Sequence, residues 1–250
     1  MNKKWLYPVI SFSVVLLIWE ILGRIFNVPL YILPLPSQIL NALIAERATL
    51  FQHALITLEE SLIGLVLASG LAFGVALLMD IFNPLKLMLH PHLVISQTIP
   101  VLVLGPIFSI WFGFGLTPKV LIVILMCFFP IAVAFSDALK NTNEEKIDLL
   151  RTYGASKKQL YTMVKIPEAM PAFFSGLKIS ATYCVGGAIV GEWLSASAGL
   201  GYYMIRAKNG YLLDKVFATV IVIIVLSLAL NALVSFIEKI LVKKRMISHV

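Results

Sequence analysis

The run VFATVIVIIVLSLALNALVSFIEKIL, from Val216 to Leu241, decides the fold. No ionisable side chain interrupts it before Glu238, and about 20 apolar residues are enough to carry a helix across the hydrocarbon core at 1.5 Å per residue. Working outward, apolar blocks of the same kind recur at Leu6–Leu22, Ser61–Met79, Leu93–Phe112, Val120–Phe135 and Phe173–Leu194. Composition agrees. Of 250 residues 60% are hydrophobic and only 13% charged, with a mean hydropathy of +0.94, whereas a soluble domain is about half apolar and a quarter charged. The expectation is an all-α, polytopic bundle of about six transmembrane helices, one domain over residues 1–250, lying in the cytoplasmic membrane.

The net charge of +7 does not point to nucleic acid, because the Lys and Arg residues lie between and beside the apolar blocks and form no continuous basic stripe. Topology explains them better. Lys3, Lys4, Lys86, Lys140, Lys146, Arg151, Lys157, Lys158, Lys165, Lys239, Lys243, Lys244 and Arg245 fall on one side of the six blocks. Arg24, Arg47, Lys119, Arg206, Lys208 and Lys215 fall on the other. Cytoplasmic segments carry the excess of Lys and Arg, so both termini are expected inside. The N-terminal Met1-Asn2-Lys3-Lys4 and the run from Trp5 to Trp19 resemble a signal peptide, but no small-x-small site follows, so this stretch reads as an uncleaved first span.

Within the spans, Gly70-x-x-x-Gly74 and Gly187-x-x-x-Gly191 place small residues on one helical face, where backbones pack closely in lipid. Pro100 and Pro106 interrupt the third span beside Gly105. Each proline removes a backbone donor and clashes with the preceding turn, so this helix is expected to kink or break and to face the bundle interior. Glu59-Glu60, Lys178 and Glu192 are ionisable groups at or in apolar spans, where charge is costly and marks function by default. For Glu192, between Gly191 and Trp193, a gate and an interfacial ion pair are both open readings. Glu59-Glu60 can mark a span end, and Lys178 can snorkel toward the cytoplasm.

Other chemistry is poorly served. His90-Pro-His92 lacks the i, i+4 spacing and the acidic or thiolate partners of a metal site, and Cys127 and Cys184 sit far apart in apolar blocks. No glycine loop of the G-x-x-x-x-G-K-S/T kind is present, so ATP is not hydrolysed by that route here. No cofactor is expected.

One long polar segment remains, over residues 138–171. Thr142-Asn-Glu-Glu145 has the form of a capping box, with Ile147, Leu149, Leu150 and Tyr153 as one apolar face and Gly154 as the stop. Ser156-Lys-Lys-Gln159 repeats the box, and Leu160, Tyr161 and Val164 form a stripe running to Ile166, before Pro167. The segment reads as helix, glycine corner, helix. It could lie on the bilayer surface, but Gly154-Ala155 at the apex offers the absence of bulk that a close approach by another protein requires.

Asp148-Leu-Leu-Arg-Thr-Tyr-Gly154-Ala155 with Lys165-Ile-Pro167 and Pro171 resembles the cytoplasmic EAA loop of type I ABC importer permeases, departing from it where Leu149 and Leu150 replace two alanines. Ile99-Pro100, Gly105-Pro106, Trp111-Phe-Gly113 and the stretch from Val190 to Tyr202 are similar to the nitrate, sulfonate and taurine branch. Gly191 to Tyr203 looks most like permeases for thiamine-related pyrimidines such as formylaminopyrimidine or hydroxymethylpyrimidine. The resemblance implies a non-catalytic permease, paired as a homodimer, with two ABC ATPase subunits and an extracytoplasmic substrate-binding protein as partners. It implies ATPase coupling through Asp148, Arg151, Gly154, Ala155 and Pro167. Pro100, Pro106, Glu192, Gly199 and Gly201 are the candidates for the path or gate. An alkanesulfonate, taurine or nitrate importer is the alternative within the family. An ion-coupled secondary transporter is the alternative outside it, though the inverted repeat and paired intramembrane acids it calls for are not evident.

Overall fold

In the computed structural model, residues 6–96 and 98–247 are described, apart from the side chains of Val94, Ser96, Ser195 and residues 242–247. Lys3 and Lys4, and the side chains of Lys243, Lys244 and Arg245, all part of the charge-asymmetry expectation, lie outside the described residues. Every regular element described is helical: α1 (Leu6–Ile25), α2 (Pro36–Ala45), α3 (Arg47–Ile81), α4 (Asn83–Ser96), α5 (Val101–Phe112), α6 (Leu116–Lys140), α7 (Glu144–Thr152), α8 (Lys157–Leu160), a π-helical turn (Tyr161–Lys165), α9 (Ile166–Ser195), α10 (Leu200–Asn209) and α11 (Leu213–Ile247).

Five segments are long and apolar enough to cross a membrane: α1, α3, α6, the rod from Lys157 to Leu194, and α11. The sixth expected span is divided. Its residues fall into α4 and α5, each too short to cross alone, with Pro100 as the N-cap of α5 in extended backbone. Proline restricts the residue before it to extended backbone and cannot supply the N–H an uninterrupted helix needs there, so the predicted break falls at Pro100. Pro106 sits inside α5 and is accommodated. The expectation that this segment faces the interior holds for one stripe only. Gly105 and Ser109 are buried, with Gly105 against Leu194 of α9, while Ile110, Trp111 and Phe114 are exposed.

The core is where α3, α6, α9 and α11 meet, around Leu65, Ala68, Val123, Cys127, Ala181, Cys184, Val185, Ala188 and Leu230. Lipid provides no hydrophobic drive between helices, so small residues that let backbones approach do the packing. A Cβ on Gly176 would lie 2.6 Å from the Pro130 carbonyl oxygen, and one on Gly191 would lie 2.9 Å from the Lys119 Cα. Gly187 packs against Val123 and Met126 in the same way. Ser180 completes the α6–α9 contact by donating to the Cys127 carbonyl at 2.7 Å. The parallel expectation for Gly70 and Gly74 is not met within the chain, since a Cβ at either would meet nothing within 4 Å. On α3 it is Gly64 and the buried Ala68, Ala72 and Ala76 that face neighbours instead.

The polar segment folds as a helix, a glycine corner and a second helix, with three corrections. The first cap is Asn143, whose side chain accepts from the Glu145 N–H at 2.9 Å, while the Thr142 hydroxyl donates back to the Leu139 carbonyl. The apolar face divides: Ile147, Leu150 and Ala155 pack with Leu160 and Val164, whereas Leu149 and Tyr153 point outward and are exposed. Adjacent positions 149 and 150 are 100° apart on a helix, so one strip cannot bury both. The second helix does not stop before Pro167. α8, the π turn and α9 follow without a gap from Lys157 to Ser195, because a π turn re-spaces the carbonyls at the point where proline withdraws a donor.

Candidate functional site

Two places hold most of the predicted residues. The first lies at the C-terminal end of α9. Glu192 is buried, and its carboxylate accepts from the Thr57 hydroxyl at 2.6 Å and from the Gly201 N–H at 2.5 Å. Thr57 Oγ1 in turn accepts from the Leu200 N–H at 2.9 Å, and His53 Nδ1 accepts from the Gly199 N–H at 3.0 Å. Gly199 is the N-cap of α10. The first N–H groups of a helix have no partner within it, and here side chains from α3 and α9 supply those partners. Gly199 adopts φ +113, and a Cβ there would overlap the Glu192 carboxylate; one on Gly201 would lie 2.7 Å from the Ile189 carbonyl oxygen. Only glycine fits this cap.

Beside the cap, buried Lys119 of α6 pairs with Glu60 of α3 at 2.6 Å. Glu60 also neighbours Glu192, the two carboxyls lying within hydrogen-bonding reach of each other. Glu60 therefore does more than mark a span end, and Glu192 accepts from the Thr57 hydroxyl and the Gly201 N–H, with no ion pair to it among the described residues. A cavity of about 470 Å³ opens next to this cluster, lined by Glu192, Trp193, Tyr202 and Phe114 among others. Sequence reasoning missed Thr57, His53 and Lys119 as members of the cluster. Their chain separations from their partners, such as 135 residues between Thr57 and Glu192, leave no local signal. Pro100 and Pro106 do not join it.

On the outer surface of this end, Lys215 donates to Glu46, and its ammonium holds that carboxyl below the usual range. Burial, reinforced by the nearby Glu46 charge, pushes the Tyr203 phenol up to about 12.

The second place is the corner. α7 ends in a Schellman motif: the Gly154 N–H donates to the Arg151 carbonyl at 2.9 Å and the Ala155 N–H to the Leu150 carbonyl at 3.0 Å, with Gly154 at φ +79. Leu150 and Ala155 meet at the small cluster inside the corner, the apolar contact that accompanies such a stop. Ser156 then caps α8 in a reciprocal box with Gln159. A Cβ on Gly154 would meet nothing within 4 Å. Asp148 and Arg151 form an exposed pair at 3.0 Å, and Pro167 lies in the first turn of α9. Elsewhere, Lys178 pairs with Glu238 of α11 at 3.0 Å instead of reaching out to solvent.

Among the described residues no three His, Cys, Asp or Glu side chains are grouped to hold a metal, and the Glu192 oxygens accept from Thr57 and from the first turn of α10.

Residues 61–247 match the family described as binding-protein-dependent transport system inner membrane component. The formylaminopyrimidine transport permease protein ThiX of Halalkalibacterium halodurans is 39% identical over 96% of this chain and 96% of its own. The riboflavin transport system permease protein RibX of Chloroflexus aurantiacus is 31% identical over 94% of this chain and 88% of its own. Among solved structures, an inward-facing MetNI methionine ABC transporter chain shares the fold with a TM-score of 0.63, at 19% identity over 76% of this chain and 97% of that one. The chain therefore belongs to the binding-protein-dependent transport system inner membrane component family, as a multi-pass permease subunit of an ABC importer in the cell membrane.

Proposed function

We propose that this permease imports a thiamine-related pyrimidine, formylaminopyrimidine or hydroxymethylpyrimidine, delivered by an extracytoplasmic binding protein. Two copies pair as a homodimer, with the exposed apolar face of α5 at Ile110 and Trp111 available to a second copy. Both termini and the 138–171 loop are cytoplasmic. Two separate ABC ATPase subunits dock at the Gly154 corner, and Asp148, Arg151, Ala155 and Pro167 shape that contact. At the opposite end, Glu192, Gly199 and Gly201 close the path as its outer gate, and the break at Pro100 and the proline at Pro106 let α5 move beside it.

The observation that carries the coupling role is the open corner. A polar segment leaves Leu149 and Tyr153 exposed just before a glycine with free space beside it among the described residues, a small surface with apolar side chains and an open backbone that a docking partner can cover. The pyrimidine follows from the 39% full-length likeness to a formylaminopyrimidine permease. An aromatic-lined cavity at Phe114, Trp193 and Tyr202 suits a flat heterocycle.

The test is uptake of labelled hydroxymethylpyrimidine and formylaminopyrimidine into proteoliposomes holding the permease, its ATPase and its binding protein. ATP-dependent uptake that excess taurine leaves untouched is expected. Competition by taurine would assign the alkanesulfonate branch, and uptake driven by an ion gradient without ATP would overturn the importer reading.

A further inference from the structure

Asp80 belongs to neither place described above. It lies in the last turn of α3, with its side chain only 9% exposed. Its Oδ2 accepts from the Tyr161 hydroxyl at 2.7 Å and from Lys165 Nζ at 2.5 Å. Both donors stand on the π turn, at its two ends, and the Lys165 ammonium sits 5.1 Å from the Tyr161 ring centroid. The other largely shielded ion pair, Lys119–Glu60, joins one span to another. This one joins a span to the foot of the rod that emerges from the corner.

The placement matters because the rod is continuous. Its lower end begins at the Ser156 cap, two residues past Gly154, and its upper end carries Glu192. A π turn is the part of such a rod that deforms most easily, since its hydrogen bonds are already re-spaced. Left free, it would absorb a push on the corner by local bending. A carboxylate gripping both ends of the turn, with charge-assisted bonds in a site mostly shielded from water, stiffens that point and refers it to α3.

We propose that Asp80 is a positioning residue that pins the π turn to α3, so that displacement of the Gly154 corner moves the whole α8–α9 rod against α3. The proposal rests on the reading that the corner docks an ATPase. In this proposal Asp80 acts through the two groups it holds, Tyr161 and Lys165.

The experiment uses the assembled complex in proteoliposomes and measures three quantities: ATPase recovered with the permease, ATP hydrolysed, and substrate taken up. Asp80→Asn keeps an acceptor for Tyr161 but loses the charge that holds Lys165. Recovery of ATPase and hydrolysis should stay near wild type, while uptake per ATP falls by about 3- to 30-fold, the range expected for a residue along a coupling path. Tyr161→Phe should lower the ratio less, and the exchange Asp80→Lys with Lys165→Asp should restore part of it. Unchanged uptake per ATP in Asp80→Asn would overturn the proposal. So would uptake that falls only in proportion to the complex assembled, because a merely structural role would produce that result. Failure of the docking reading shows separately, as ATPase recovery and uptake untouched by Gly154→Val, and it overturns the proposal as well, since no push then reaches the corner; with docking intact, an unchanged ratio in Asp80→Asn overturns the pin alone.

Discussion

Two glycines in left-handed backbone mark the two ends of the α8–α9 rod, and they differ in what surrounds them. At Gly199, φ is +113 and the Glu192 carboxylate fills the space a side chain would take. At Gly154, φ is +79 and an added Cβ would meet nothing within 4 Å among the described residues. Both positions favour glycine for their backbone, so the angle alone does not separate them. The surroundings do. At the Gly199 end the chain supplies its own partners, with Thr57, His53 and Glu192 satisfying the first N–H groups of α10. At the Gly154 end the helix stop is complete within the backbone, and in the proposed function the surface beyond it is where the ATPase docks.

The largest effect is expected from filling Gly199. Gly199→Ala combines left-handed strain with a steric overlap on Glu192 and should cost about 4 kcal/mol. Thermal unfolding in detergent and a collapse of uptake would register it, whereas a wild-type melting point would mean the cap is looser than the geometry implies. Next comes Lys119→Met, which leaves the buried Glu60 carboxylate without its counter-ion and should cost about 3 kcal/mol. The double variant Lys119→Met with Glu60→Gln should recover much of that loss in the same melt.

At the Gly154 end the effects are smaller. Ser156→Ala removes the α8 cap and should cost about 1 kcal/mol, read as faster hydrogen exchange in residues 157–165 with the membrane spans unaffected. Smallest is Glu46→Gln on the outer surface. Because Lys215 lowers the Glu46 pKa, the pair's stabilisation is present above the ordinary carboxylate value and is lost as pH falls through the folded value. The variant should melt slightly below wild type at pH 7, and the difference should close under acid. A gap that widened under acid would reverse the sign assigned to the pair.

Much of the Gly154 end was legible in the chain, because its signals are local: Ser156 with Gln159 and Gly154 as a stop each act on residues within a few positions of themselves, as does the break that Pro100 makes before α5. Even at the corner Asn143 displaced Thr142 as the cap, since the Thr142 hydroxyl found the α6 C-terminus instead. The Gly199 end was legible only in part. Glu192 could be singled out as an acid in an apolar span, but α2 and α10 carry no apolar period of membrane length. Lys119 was counted as a surface charge because its partner Glu60 lies 59 residues away. Buried polar clusters of this kind are assembled by helix crossings, and those are set by glycine and alanine contacts that no nearby residue announces.

The central claim, that the open corner is where a separate ATPase engages, is tested most directly by substituting Gly154 with Asn, Ala and Val. The measurement is the amount of ATPase recovered with each permease, normalised to permease in the membrane. If Gly154 were only a helix stop, Asn would hold its conformation and even Ala would cost no more than about 1 kcal/mol, with ATPase recovery the same for all three. With an ATPase docked at the corner, recovery and uptake fall as side-chain size rises while membrane insertion stays constant. A well-expressed Gly154→Val permease with wild-type ATPase recovery and wild-type uptake would contradict it.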